Sequence, residues 1–98
     1  MAEIPEPADV VEAVRAGLSK LLPPDDLQQV DLSGIDECTP MLSLPVDSAV
    51  LMALMNELED TFAVYIEEEA AFSFASVGDI SDYIRHRLAA KARRVDGE

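Results

Sequence analysis

Four of the chain's six prolines lie within residues 23–46, and this cluster restricts the possible folds more than any other feature of the sequence. Proline lacks a backbone N–H and disfavours helical geometry in the residue before it, so no helix can continue through Pro23-Pro24. Apolar residues recur at three- and four-residue spacing on both sides of the cluster. The sequence therefore predicts helices before and after a long connection.

The first predicted helix covers residues 9–22 and carries a single apolar stripe. Asp9 and Glu12 have the spacing of a capping box, and Pro7 lies just outside it. Gly17 weakens the helix by about 1 kcal/mol relative to alanine, which is too little to reverse the prediction. The stripe consists of Val10, Val11, Val14, Leu18, Leu21 and Leu22.

The connection over residues 23–46 is rich in apolar side chains as well as in proline. A structureless loop of this length is uncommon in a compact domain. We therefore expect an ordered loop, with a helical turn in it, whose apolar residues lie against the core. These residues are Leu27, Val30, Leu32, Ile35, Met41, Leu42, Leu44 and Val46.

The second predicted helix covers residues 48–62. At about 100° per residue, its buried side is formed by Leu51, Leu54, Met55, Leu58 and Phe62. The residues on and beside the opposite face are Ala49, Val50, Met52, Ala53, Asn56 and Asp60. The first half of this outer face is unusually apolar for a surface in contact with water.

Two further helices are predicted towards the C-terminus. Residues 67–72 form a short helical turn, and the last helix starts near Ser76 and ends at about Ala92. Ser76 and Asp79 have capping-box spacing. The buried stripe of the last helix is Val77, Ile80, Ile84 and Leu88, extended by Tyr83. The predicted fold class is all-α, a bundle of three to four helices with a long loop between helices 1 and 2.

The chain of 98 residues is long enough for one domain, which we expect over residues 9–92, between tails at 1–8 and 93–98. Because 49% of the residues are apolar, disorder is not expected. The first seven residues have neither a basic residue nor an apolar core, so no secretory signal is expected. No apolar run approaches the roughly 20 residues that span a bilayer. We expect a cytoplasmic protein that does not insert into membranes.

Acidic residues dominate the middle of the chain. Fourteen Asp or Glu residues and no Lys or Arg lie between Leu21 and Ile84, and the net charge is −13. Such a surface repels nucleic acid and anionic membranes, and it attracts basic protein partners. Binding to nucleic acid is therefore excluded from the expected functions.

The sequence contains no recognisable catalytic or metal-binding constellation. His86 is the one histidine and stands among arginines, while Cys38, the one cysteine, has no histidine near it in the sequence. Neither a nucleophile–base pair nor a four-ligand zinc site is suggested. The acidic run 67–69 lacks the alternating ligands and the glycine of a calcium loop. We expect no catalytic residues and no bound metal, so the chain is not predicted to be an enzyme.

Asp47-Ser48 stands where the apolar loop meets the second predicted helix. Asp and Ser are favoured at helix starts because their oxygens accept free backbone N–H groups, so in isolation an ordinary cap explains the pair. A helix N-terminus also favours negative charge, and the acidic surroundings would steer basic enzymes to the hydroxyl. The position of Ser48 is therefore compatible with an added phosphate.

From Asp47 to Ile84 the chain resembles an acyl carrier protein, a family in which an Asp-Ser-Leu motif opens the second helix and the serine carries a 4′-phosphopantetheine arm. The corresponding residues here are Asp47-Ser48-Ala49. Residues 50–62 resemble the family's apolar-then-acidic helix, 65–70 its short third helix, and 76–84 the opening of its last helix. This gapless match covers about two fifths of the chain.

The resemblance implies that Ser48 is the attachment residue, that coenzyme A supplies the arm, and that a phosphopantetheinyl transferase recognises Asp47. Acyl groups would be carried as thioesters to enzymes of fatty acid, lipid or polyketide biosynthesis. The face that the resemblance implies for partner docking comprises Ala49, Val50, Met52, Ala53, Asn56, Glu59 and Asp60.

Several residues depart from the family pattern. Ala49 replaces the usual leucine, and Val50 and Ala53 stand where the family's docking face is acidic. Partner enzymes with basic or partly apolar docking patches are therefore expected. The alternative is that these apolar residues pack under the loop formed by residues 23–46.

Two other functions are compatible with the same features. A peptidyl or aminoacyl carrier has the same bundle and the same serine. An unmodified acidic interaction domain would use the anionic surface without any change at Ser48. We expect a monomer, and we expect the intact mass of protein made beside a suitable transferase to separate these functions.

Overall fold

The computed structural model describes the backbone of residues 4–96 and the side chains of residues 4–91. Within that range the regular structure is helical apart from one isolated β-bridge, between Pro40 and Ser76, which confirms the all-α prediction. The α-helices are α1 (Pro7–Leu21), α2 (Pro24–Gln29), α3 (Ser48–Phe62), α4 (Glu68–Ser73) and α5 (Val77–Asp96). Two 3₁₀ turns cover Leu32–Gly34 and Met41–Ser43.

The core lies between the three long helices, where α1 packs against α3 and α5. Each helix buries the apolar stripe that the sequence predicts, because residues three and four positions apart share one face. Leu21, Leu51 and Phe62 are only partly buried at the edge of the core. The buried side chains of the stripes are Val10, Val11, Val14, Leu18, Leu22, Leu54, Met55, Leu58, Val77, Ile80, Ile84 and Leu88.

The two outer boundaries of the bundle differ from the predicted ones. Helix α1 begins at Pro7, and the N–H of Glu6 donates to the Asp9 carboxylate at 3.0 Å. The predicted pairing of Asp9 with Glu12 as a capping box is therefore wrong. Proline fits the first helical position because its missing N–H has no intrahelical partner there. Helix α5 continues to Asp96, into the predicted C-terminal tail, and residues 97–98 lie outside the described residues.

The start of α5 follows the prediction more closely. The N–H of Asp79 donates to the Ser76 hydroxyl at 3.3 Å, and the N–H of Ser76 donates to the Asp79 carboxylate at 3.3 Å. This reciprocal pair is a capping box, and it satisfies backbone donors that the first turn of a helix leaves unpaired. The predicted cap of the last helix is therefore confirmed.

The connection between α1 and α3 is ordered and contains α2 as well as both 3₁₀ turns. Ile35 and Leu44 are buried, and most other apolar residues of the connection pack partly against the core, as predicted. Leu42 is the exception, since 99% of its side chain is exposed. The expectation that Leu42 lies against the core is therefore wrong.

Backbone hydrogen bonds join the connection to the segment that leads into α5. The N–H groups of Val77 and Gly78 donate to the carbonyls of Thr39 and Glu37 at 3.0 and 2.8 Å. The N–H of Met41 donates to the carbonyl of Ala75 at 2.8 Å. These bonds fix the path of the chain immediately before α3.

Two glycines permit close approaches between these elements. A Cβ atom on Gly17 would lie 2.6 Å from Cδ1 of Leu54, so the glycine allows α1 and α3 to approach closely. A Cβ atom on Gly78 would lie 2.8 Å from the carbonyl oxygen of Glu37. The second contact is the less adaptable one, because a hydrogen-bonded backbone carbonyl cannot rotate away as a side chain can.

We predict that Gly78→Ala lowers the free energy of unfolding by about 1 to 3 kcal/mol, because the added methyl group overpacks this contact. Urea denaturation followed by circular dichroism measures the change. The control is Gly34→Ala, where the new Cβ would lie 3.1 Å from Oδ2 of the exposed Asp31 side chain and not from a backbone atom. This surface change is expected to stay within about 0.5 kcal/mol of wild type. Equal stability of the two variants would show that the contact between Gly78 and the Glu37 carbonyl is not tightly packed.

Candidate functional site

The N-terminus of α3 places Asp47 and Ser48 side by side at the surface. Asp47 is the N-cap residue, with extended backbone, and its carboxylate accepts the Val50 N–H at 2.8 Å. Its backbone carbonyl accepts the N–H of Leu51 at 2.8 Å. Ser48 is the first residue of the helix and its side chain is exposed. The hydroxyl is thus presented to solvent by a first turn that is fixed through its cap.

The electrostatic surroundings of Ser48 combine two effects. The first-turn N–H groups of a helix lack intrahelical partners and give the N-terminus a partial positive charge, which favours an attached anion. At longer range, the stretch between Leu21 and Ile84 carries acids and no basic residue, so approaching cationic surfaces are attracted. A phosphate ester is therefore tolerated locally, while basic partners are steered to the site from a distance.

A pocket of about 220 Å³ lies directly beside Ser48. Three elements form it: the 3₁₀ turn Met41–Ser43, the first turn of α3, and the end of α4 with the residues just after it. Its lining is mainly apolar and consists of Met41, Leu42, Val46, Asp47, Ser48, Leu51, Ala71, Phe72 and Phe74. The hydroxyl therefore lies between open solvent and an apolar recess.

The predicted docking face of α3 is divided between surface and core. Ala49, Asn56 and Asp60 are exposed, while Ala53 is partly buried. Val50 and Met52 are also partly buried and pack against the core cluster. The exposed part of this predicted face therefore consists of Ala49, Asn56 and Asp60, with the apolar residues beside them only partly accessible.

Glu59, the remaining member of the predicted docking face, makes a hydrogen bond within the bundle. Its carboxylate accepts the Ile66 N–H at 2.7 Å in a partly buried position. Helix α3 ends at Phe62, and its C-cap residue Ala63 has a φ of 53° in the left-handed region, so the chain turns there towards α4. Glu59 thus ties the end of α3 to the segment that follows it.

Leu42 and Phe72 belong to the site, although the sequence analysis did not identify them as site residues. Both side chains line the pocket beside Ser48, and 99% and 54% of their respective surfaces are exposed. The relevant signal is the position of Leu42 only six residues before Ser48, in a short turn between two prolines. No sequence signal links Phe72 to Ser48, because the two residues are brought together only when α4 packs against α3.

The described residues hold no other constellation of this kind. Among them, no group of three or more His, Cys, Asp or Glu side chains is placed to hold a metal ion. Cys38 and His86 are both exposed. In the same part of the chain, no helix combines the length and the apolar character needed to cross a membrane.

Comparison with known proteins assigns the family. A family model described as the phosphopantetheine attachment site matches residues 26–84, which is more than half of the chain. The chain belongs to this family, that of the acyl carrier proteins. Its cofactor is phosphopantetheine, and the members act as carriers and not as catalysts.

Individual relatives agree with the family assignment. An acyl carrier protein of Exiguobacterium sp. is 42% identical over 45 residues, which are 46% of this chain and 57% of that protein. The match thus spans a little over half of the relative's length.

Two solved structures share the fold. The 3,7-dioxo-octyl actinorhodin acyl carrier protein from Streptomyces coelicolor has a TM-score of 0.70 at 23% identity, covering 93% of this chain and 99% of its own. The 3-oxo-butyl intermediate mimic from the actinorhodin polyketide synthase of the same organism has a TM-score of 0.68 at 23% identity, with 92% and 98% covered.

The residues at the start of α3 fit a phosphopantetheine group. Ser48 has an exposed hydroxyl for the phosphate ester, and the helix N-terminus favours the negative charge. The adjoining recess offers apolar surface from Met41, Leu51 and Phe74. No cationic side chain is needed in this arrangement, because the backbone N–H groups supply the positive potential.

We predict that Asp47→Ala lowers the free energy of unfolding by about 1 kcal/mol, because the Val50 N–H loses its acceptor. The matched variant Asp47→Asn should stay within about 0.5 kcal/mol of wild type, since asparagine caps a helix about as well as aspartate. Thermal and urea unfolding measure both changes. An alanine variant as stable as the asparagine variant would show that the cap contributes nothing.

We also predict that Glu59→Ala lowers the free energy of unfolding by about 1 to 3 kcal/mol, because the Ile66 N–H is left without its charged acceptor. The neighbouring surface variant Asp60→Ala serves as the control and should stay within about 0.5 kcal/mol. The same denaturation experiment measures both. If the two variants lose equal stability, the hydrogen bond between the Ile66 N–H and the Glu59 carboxylate does not stabilise the fold.

Proposed function

We propose that this chain carries acyl groups as thioesters on a 4′-phosphopantetheine arm attached to Ser48. The observation that carries this proposal is the position of the Ser48 hydroxyl, which is exposed at the first residue of α3, beside an apolar pocket and inside the matched region 26–84. The arm comes from coenzyme A, and a phosphopantetheinyl transferase attaches it.

Asp47 has two roles in this proposal. Its carboxylate fixes the first turn of α3 through the Val50 N–H, so that Ser48 is held at the surface in one backbone conformation. Its charge also remains exposed next to the hydroxyl, where a basic transferase surface can recognise it. Loss of the charge should therefore impair the transfer reaction more than the stability of the fold.

The pocket beside Ser48 provides apolar shelter. When attached, the arm supplies a terminal thiol that bears the acyl group. The recess of about 220 Å³ is smaller than the roughly 300 to 1,000 Å³ of typical ligand pockets, so shelter for a long acyl chain requires the surrounding elements to separate. Flexible Met41 at the lining and Met55 in the core are suited to such repacking.

The partners of this carrier are the transferase and the enzymes that load, modify or receive the acyl group. We propose that the outer face of α3, where Ala49, Asn56 and Asp60 are exposed, forms part of the surface on which they dock. Val50, Met52 and Ala53 add partly buried apolar surface to this face, and Glu59 lies at its end. Such a mixed face fits docking patches that are basic or partly apolar.

The pathway is that of fatty acid, lipid or polyketide biosynthesis. One of the two matched solved structures comes from a polyketide synthase, but at 23% identity both support the fold and not the cargo. The mass of the thioester-bound group in protein isolated from its host distinguishes an acyl cargo from an aminoacyl or peptidyl one. The proposed location is the cytoplasm, and the proposed oligomeric state is a monomer.

We predict that Ser48→Ala folds as the wild type does and is not loaded by a phosphopantetheinyl transferase with coenzyme A. The fold is expected to persist because the substitution is exposed and alanine is the best helix former. The measurement is the intact mass of each protein after incubation, which should rise by one phosphopantetheine group in the wild type and remain unchanged in the variant.

Ser43→Ala is the matched control for this experiment. Ser43 is also exposed and lies in the 3₁₀ turn near the site, where its hydroxyl donates to the carbonyl of Pro40 at 2.7 Å. This variant should be loaded to completion. A Ser48→Ala protein that still gains the group, or a wild type that never does, would refute the attachment at Ser48. An unmodified wild type would instead favour the acidic interaction domain.

A further inference from the structure

Leu42 is the most exposed large apolar side chain among the described residues, with 99% of its surface in contact with solvent. A single exposed leucine is common and needs no explanation. Leu42 is not isolated, however, because Phe72 lines the same pocket and is 54% exposed. We call these two side chains the apolar rim of the Ser48 pocket.

The backbone holds Leu42 in this outward position. Leu42 is the middle residue of the 3₁₀ turn Met41–Ser43, and the N–H of Met41 is bound to the carbonyl of Ala75. The N–H of Leu44 in turn donates to the carbonyl of Met41 at 3.2 Å, and Leu44 is buried. With Met41 and Leu44 directed towards the core, the two residues between them, Leu42 and Ser43, project into solvent.

Exposed carboxylates accompany both residues of the apolar rim. Asp47 is exposed and lines the same pocket as Leu42. Glu68 and Glu69 are exposed and stand one helical turn before Phe72 on α4, at the spacing that brings side chains onto one face. The rim is thus an apolar centre within an acidic border.

We propose that Leu42 and Phe72 form the central contact for the enzyme that modifies Ser48, a phosphopantetheinyl transferase with an apolar recess bordered by basic side chains. The inference rests on the proposed function. Any enzyme whose active site reaches the Ser48 hydroxyl must cover the adjoining surface, and both rim residues line the pocket that Ser48 lines. A few side chains at the desolvated centre of an interface, protected from water by the contacts around them, contribute most of the binding energy.

The charge of the chain argues against the other possible occupants. A second copy placed on the rim would bring two acidic borders together, and like charges facing each other oppose association. With a net charge of −13, the chain is repelled by anionic membranes as well. A basic protein surface is the complement that remains.

Loading kinetics with a broad-specificity phosphopantetheinyl transferase and coenzyme A test this inference. We expect Leu42→Ser to lower kcat/KM about tenfold, mainly through KM, because a central apolar contact is lost. Its thermal midpoint should equal that of wild type, since the side chain contacts solvent almost completely. Phe72→Ser is the second rim variant and should act in the same direction.

Tyr65→Ser is the matched control for the loss of an exposed apolar side chain. Tyr65 is 63% exposed but lines a different pocket, beside Arg87 and Lys91. Its loading should remain within about twofold of wild type, because the transferase does not cover that surface. For the acidic border, Glu68→Gln should raise KM and weaken its dependence on salt, whereas Asp82→Asn on the outer face of α5 should not.

The outcomes separate this inference from the proposed function. If wild type and Leu42→Ser are loaded with equal kcat/KM, the rim is not the transferase contact. A concentration-dependent dimer that disappears in Leu42→Ser, with loading unchanged, assigns the rim to a second copy and also overturns the inference. If the wild type is never loaded, the proposed function fails and the inference fails with it.

Discussion

Three backbone hydrogen bonds between residues 37–41 and residues 75–78 determine where the candidate site lies. They tie the long connection to the start of α5, and a glycine at position 78 lets the two segments approach closely. These hydrogen bonds hold the 3₁₀ turn Met41–Ser43 in place. They therefore also fix the path of the chain from this turn to the start of α3. Without these bonds, residues 37–41 would lose their backbone attachment to the bundle, and the pocket beside Ser48 would lose one wall.

The acidic field around the site is largely uncompensated because the basic residues lie on α1 and α5, and none lies between Leu21 and Ile84. Arg15 donates to the carbonyl of Ile35 at 2.6 Å, and Arg85 to that of Pro5 at 2.9 Å. The guanidinium of Arg87 lies over the ring of Tyr83 at 5.6 Å. Lys20 of α1 pairs with Glu57 on α3 at 3.0 Å. Among the described side chains, however, no basic one lines the pocket beside Ser48, so the surface there keeps its negative potential for partner enzymes.

The helices that form the core could be predicted from the sequence, because burial on one face imposes a period of 3.6 residues. Irregular segments have no such period. Nothing in the sequence therefore distinguished Leu42, which is exposed, from Leu44, which is buried two residues later. The start of α1 was placed too late because Glu6 is not among the residues that favour N-caps, whereas Asp9 is.

The candidate site was predictable only where local residue preferences mark it. Asp47 and Ser48 could be located because a helix start has its own residue preferences, and the resemblance to a family gave the pair its meaning. The bond from Glu59 to Ile66 depends on a left-handed turn at Ala63, and Phe72 reaches the pocket only when α4 packs on α3. Both are long-range consequences of packing, which local sequence patterns do not encode.

The central claim is that Ser48, and no other residue, bears the phosphopantetheine group. Proteolysis before aspartate residues tests it directly, because cleavage at Asp47 and Asp60 releases a peptide of residues 47–59 in which Ser48 is the one serine. In protein loaded with coenzyme A, tandem mass spectrometry should find the added mass on this peptide and not on residues 36–46, which contain Ser43. Modification outside residues 47–59, or no modification at all, would contradict the account.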